Sequence, residues 1–327
     1  MNKPVYINGI GYISPQDTFE ANNPEIQTAE QGFFDCIEPS YKMFLDRKQL
    51  RRMSRIVKMG LTASGRALTD AGTPSVDAIV TGSAWGCVGD TEVFLETLIQ
   101  NQEEYLTPTA FVQSTHNTVG GQIALRNGLN CYNMTYVQGD LSFESALMDA
   151  QLKLMENNAP FNCLLGGIDV LTEKLKILMR RLACASTNKP MGEGSSFFVL
   201  GDQPSANTYA QITGVYFQYN GYHKQDKNAF LLDSLDQSNL NPDQINLILG
   251  TGLDNTIGDS IFPDTCFLNI DTLCGKYPTA SAFAMALGAQ ILKGCCPLDL
   301  KLDLGPTPID KILIYTSSIH CRSTLRT

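Results

Sequence analysis

Four apolar segments recur in the same order in two parts of this chain, and that recurrence constrains the fold more than any other feature. Val5-Tyr6-Ile7-Asn8-Gly9-Ile10-Gly11 and Ala210-Gln211-Ile212-Thr213-Gly214-Val215-Tyr216 share a β-branched, glycine-closed pattern. Residues 77–83 are echoed by 246–252, each an apolar run that turns at glycine. Residues 134–137, followed by an apolar helix over 143–155, match 266–270, followed by a helix over 279–293. Residues 162–167 match 311–316. Chance resemblance among glycine-ended strands is the plain alternative. The duplication reading divides the chain into an N-terminal half, 1–205, and a C-terminal half, 206–327, joined by the polar stretch 201–207.

Continuous apolar strands alternating with helices predict an α/β protein whose strands are parallel and covered on both faces. Ala280-Ser281-Ala282-Phe283-Ala284-Met285-Ala286-Leu287 is apolar all round, which places it between sheets. A further helix is predicted over 51–71, with Gly72 as its C-terminal cap.

Composition excludes several function classes. The formal net charge is -9, and Lys/Arg clusters occur only over 47–55 and at Arg180-Arg181, which argues against a nucleic-acid partner. No run of 18 apolar residues is present to span a membrane, and the first residues carry no signal-peptide core, so a cytoplasmic protein is expected. The ten cysteines form no C-x-x-C pair and have no ligand-like spacing with the three histidines, so neither a metal site nor a cofactor is implied.

Several motifs resemble those of the β-ketoacyl-acyl-carrier-protein synthases, in the right order and across nearly the whole chain. Ile7-Asn8-Gly9-Ile10-Gly11-Tyr12-Ile13-Ser14-Pro15 is similar to the family's first strand. Arg52-Met53-Ser54-Arg55 through Ala67-Leu68-Thr69-Asp70-Ala71-Gly72 is similar to its first long helix, and Leu165-Gly166-Gly167-Ile168-Asp169 to its "A-G-G-x-E" strand. Met191-Gly192-Glu193-Gly194-Ser195-Ser196-Phe197-Phe198-Val199-Leu200 resembles "G-E-G-A-G-x-x-V-L". The resemblance implies a thiolase-like fold: duplicated α/β units with buried helices between two mainly parallel five-stranded sheets, in αβαβα layers. It gives Gly192, Glu193, Gly194, Gly250, Gly252 and Gly275 the role of structural motif residues.

Such synthases condense acyl groups through a cysteine thiolate at a helix N-terminus and two histidines that stabilise oxyanions. None of the three is kept here. Gln138-Gly139-Asp140-Leu141-Ser142-Phe143-Glu144-Ser145-Ala146-Leu147 puts Asp140 at the cysteine position. Leu249-Gly250-Thr251-Gly252-Leu253 puts Leu249 at the first histidine, and the stretch from Asp271 to Ala282 puts Lys276 at the second. An aspartyl anhydride is too labile to replace a thioester, so the first half-reaction is expected to be absent. Cys184 mimics a nucleophile motif but falls after the Leu165-Gly166-Gly167 strand rather than before it. His116, His223 and His320 occupy no catalytic position. Asp140 and Lys276 are open to two readings, an ion pair across a vestigial pocket or independent solvated charges.

The leading functional expectation is a chain-length-factor-like subunit, inert by itself. It would pair with an active ketosynthase as a heterodimer, with the acyl chain carried by an acyl carrier protein. Such subunits occur in polyketide, aryl-polyene or fatty-acid-type elongation. In the family the strand before the nucleophile pairs across a two-fold axis, which marks Met134 and Tyr136 as interface residues. The alternatives are a malonyl-carrier decarboxylase and a homodimeric acyl-binding protein.

Overall fold

The computed structural model describes residues 3–19, 24–29, 32–182, 190–219, 227–251, 261–263, 265–300, 308–317 and 321–326. Its strands are β1 (Val5–Ile13), β2 (Phe33–Phe34), β3 (Ala78–Gly82), β4 (Tyr132–Tyr136), β5 (Asn162–Asp169), β6 (Met191–Gly192), β7 (Gly194–Gly201), β8 (Ala210–Ile212), β9 (Gly214–Tyr219), β10 (Leu247–Thr251), β11 (Cys266–Asn269), β12 (Ile312–Ser317) and β13 (Cys321–Arg326). The helices are α1 (Arg47–Leu50), α2 (Arg55–Asp70), α3 (Val88–Gln100), α4 (Pro108–Gln113), α5 (Thr118–Asn127), α6 (Ser142–Glu156), α7 (Glu173–Arg181), α8 (Lys227–Asp236), α9 (Asp271–Cys274) and α10 (Ala280–Leu292).

The elements stack in five layers. Helices α2 and α5 cover the outside of a sheet ordered β4-β3-β5-β7-β1-β8, and α6 and α10 fill the space between it and a second sheet ordered β11-β10-β12-β13-β9. Phe230, Leu231 and Leu235 of α8 pack with Ile248, Leu313 and Tyr315 on that sheet's far side. The predicted αβαβα arrangement is therefore present. Burial on both faces explains the apolar runs: Phe198 and Leu200 of β7 enter the inter-sheet core, while Phe197 and Val199 enter the core beneath α2.

Two details of the expected sheets are corrected. They are mixed rather than mainly parallel, since β5–β7, β7–β1, β1–β8, β12–β13 and β13–β9 all run antiparallel. A strand covered on both faces is apolar whichever way it points, so composition carries no direction. The first sheet has six strands rather than five, because the segment 210–216 is not one strand. It breaks at Thr213, so that β8 joins the first sheet beside β1 and β9 joins the second beside β13.

The helix expected over 51–71 starts at Arg55, because Ser54 is extended (φ -67°, ψ 165°). It ends as expected, with Gly72 in the left-handed region at φ +65°. The all-apolar helix is α10, in which residues 280–289 are all buried. Among the described residues no helix is long and apolar enough to cross a membrane.

Candidate functional site

Glu193 lies between β6 and β7 and is fully buried. Its carboxylate is gripped by the two terminal guanidinium nitrogens of Arg55, the first residue of α2, and accepts the Cys36 amide at 2.8 Å and the Leu171 amide at 2.9 Å. A buried carboxylate needs this many donors to offset its lost hydration. Gly192 and Gly275 meet back to back. A Cβ on Gly192 would collide with the Cys274 carbonyl, and one on Gly275, already at φ +71°, would lie 2.6 Å from the Gly192 Cα. That contact seats Lys276 beside β6, where its amide donates to the Pro190 carbonyl at 2.7 Å. Gly194 abuts the Tyr277 hydroxyl, and the Gly250 carbonyl accepts the Ile270 amide at 3.0 Å. Gly252 lies outside the described residues, as do Cys184, His223, Leu253 and His320.

The turn that opens α6 is where a thiolate would sit in a synthase. It is a single 3-10 turn, Gly139–Leu141, with Asp140 exposed on it. Three side chains brace it. The Gln138 amide N–H donates to Ser142 Oγ at 2.9 Å, Ser142 Oγ donates to the Gly139 carbonyl at 2.7 Å, and Ser145 Oγ donates to the Gln138 side chain.

Leu249 is fully buried in the inter-sheet core, between Leu268 of β11 and Ile314 of β12, facing Gly288 of α10. Lys276 is half-buried, and no hydrogen bond or ion pair between described residues joins it to Asp140. Burial pushes the thiol pKa values of Cys36, Cys131, Cys163, Cys274, Cys295 and Cys296 up, and takes Cys87 to about 12 with help from Asp90. Among the described residues no cluster suits a metal ion.

A buried acid was missed by the sequence reading, which saw Asp169 only as part of a motif. At the end of β5 it is fully enclosed. One oxygen, Oδ1, accepts the Ser83 hydroxyl at 3.1 Å and the Trp85 amide at 2.8 Å, while Oδ2 accepts the Thr279 hydroxyl at 2.9 Å. Burial drives its pKa from 3.8 up to about 7 against the pull of those donors. Its separation from Thr279, 110 residues, left no local signal in the sequence.

Strand β4, which carries Met134 and Tyr136, is an edge of the first sheet. Met134, Val137, Met148 and Leu152 are exposed on it, on the residue just beyond it and on α6, and Tyr132 donates to Asp149 at 2.9 Å. Apolar exposure beside an unpaired edge is a surface that other chains can cover. A separate cleft of about 480 Å³ opens beside Arg55, Gly86, Asp90 and Lys176.

Comparison with known proteins agrees with this architecture. Residues 31–166 match the family described as "Beta-ketoacyl synthase, N-terminal domain". No curated protein matches the chain. Among solved structures, the ishigamide ketosynthase/chain length factor is 15% identical with a TM-score of 0.76, over 100% of this chain and 99% of that one. The ketosynthase complex AntDE:AntF, a type II polyketide synthase assembly with its acyl-carrier protein, is 16% identical with a TM-score of 0.78, over 100% and 99%. A beta-ketoacyl synthase from Burkholderia phymatum STM815 is 16% identical with a TM-score of 0.76, over 99% and 98%. The resemblance drawn from the motifs thus holds, and the fold is the thiolase-like fold of the ketosynthases.

Proposed function

We propose that this chain, with its ketosynthase fold and its β-ketoacyl-synthase stretch over 31–166, is a non-catalytic partner subunit of an active β-ketoacyl synthase in the cytoplasm. The observation that carries the reading is the turn at the start of α6. It carries Asp140 and is braced by Gln138, Ser142 and Ser145; in this reading Asp140 stands where a synthase has its thiol, so a built turn remains without the nucleophile. In the same reading the halves 1–205 and 206–327 are a duplication, and Met134 and Tyr136 lie at a two-fold interface with the catalytic partner. The partner would receive its acyl chain from an acyl carrier protein. A ketosynthase/chain length factor among the solved relatives in fold supports the reading.

Co-expression of the tagged chain with a cysteine-bearing ketosynthase from the same genome tests it. A one-to-one complex by native mass spectrometry, with condensation lost when this chain is left out, is the expected result. Separate monomers, or a partner that condenses equally well alone, would refute it.

A further inference from the structure

We propose that Asp169 is a proton switch joining the two parts of the molecule: as an anion it accepts hydrogen bonds from the loop after β3 and from the start of α10, and on taking up a proton it becomes a donor to Thr279. The geometry supplies both arms. Ser83 Oγ and the Trp85 amide bind one oxygen from the first-sheet side, and Thr279 Oγ binds the other from the residue preceding α10. Thr279 makes no side-chain cap for its own helix, so its hydroxyl is committed to this link. A proton from water goes to Oδ2, the oxygen facing Thr279, whose hydroxyl rotates from donor to acceptor. Oδ1 keeps Ser83 and Trp85 but loses its share of the charge, and bonds to a neutral acceptor are weaker than charge-assisted ones.

The surroundings favour such a change near neutral pH. No cation pairs with Asp169 among the described residues. On the segment before α10 the titratable neighbour is Tyr277, whose pKa burial raises and which also senses Cys274, Cys36, Asp169 and Glu193. Against Gly86 of the loop after β3 packs the imidazole of His116. That loop passes through Gly86 into the first turn of α3, and Gly86 with Val88, Gly89 and Asp90 of that turn lines the cleft beside Arg55, so protonation is transmitted to a cleft wall.

Trp85 is the chain's one tryptophan, and its indole packs against the inter-sheet core, so its emission reports this site alone. Fluorescence of the full chain is followed from about pH 5.5 to about pH 8.5, a window around the usual range of buried-acid titration. The expected result is a reversible transition within roughly one unit of neutrality. It should be absent in Asp169→Asn, unchanged in His116→Asn, and moved up by roughly one unit in Thr279→Val, which removes a donor to the anion. A flat wild-type response, a transition that survives in Asp169→Asn, or one that vanishes in His116→Asn would overturn the proposal. Should Asp169→Asn fail to fold, an unmoved midpoint in Thr279→Val overturns it equally.

Discussion

At the scale of single residues the most informative substitution is Asp140→Cys. It returns a thiol to the turn before α6, yet condensation is not expected to return with it. Leu249 is sealed in the core and Lys276 is held beside β6; in the proposed reading these two stand at the oxyanion-donor positions, so neither donor is rebuilt. Each lost donor of that kind costs roughly 10²–10³ in rate. A condensation assay with malonyl-carrier thioester checks this, and turnover well above the wild-type background would show that the histidine positions are misassigned. The residues that shape this region were visible in the sequence, since Arg55, Glu193, Gly192 and Gly275 all fall in recognisable motifs. Their pairings were not. Arg55 and Glu193 stand 138 residues apart, and a motif names residues without saying which ones touch.

Among the elements, β4 carries the test of assembly. Met134→Asp places a charge on an exposed edge position, where stability should change by less than about 0.5 kcal/mol. Binding to a ketosynthase should nevertheless be lost, because an unpaired charge would be buried in the apolar centre of the interface. Thermal melting and size-exclusion chromatography separate the two effects; full retention of the complex would remove β4 from the interface. Element identity was largely legible from periodicity: the segments matched between the two parts became β1, β3, β4, β5, β10, β11 and β12, and the apolar helix became α10. What escaped was the break at Thr213, since 210–216 alternates like one strand and nothing local tells the chain to change sheets there. Strand direction escaped for a related reason, because it is settled by connections that run through loops and not by the strand's own residues.

Over the whole molecule, Asp169 gives stability a pH signature. Its folded pKa, about 7, lies above the ordinary 3.8, so its contribution is fully present below about pH 4 and is lost as pH rises through about 7. The loss is at most about 4 kcal/mol, from the size of that displacement. Urea midpoints of the wild type should therefore decline between about pH 5 and about pH 8 relative to Asp169→Asn; parallel curves would show that the acid is ionised throughout. The sheet orders carry a consequence in time. Strand β9 has its neighbour in β13, which follows it by about a hundred residues, and β1 is flanked by β7 and β8, from the middle of the chain. On the ribosome each early strand must therefore wait, uncovered, for a neighbour not yet synthesised. Loop closure of that length makes such pairing slow. The second sheet can be completed only after residues 321–326 have left the exit tunnel, and until then the waiting strands are where a chaperone or an aggregating neighbour would first take hold.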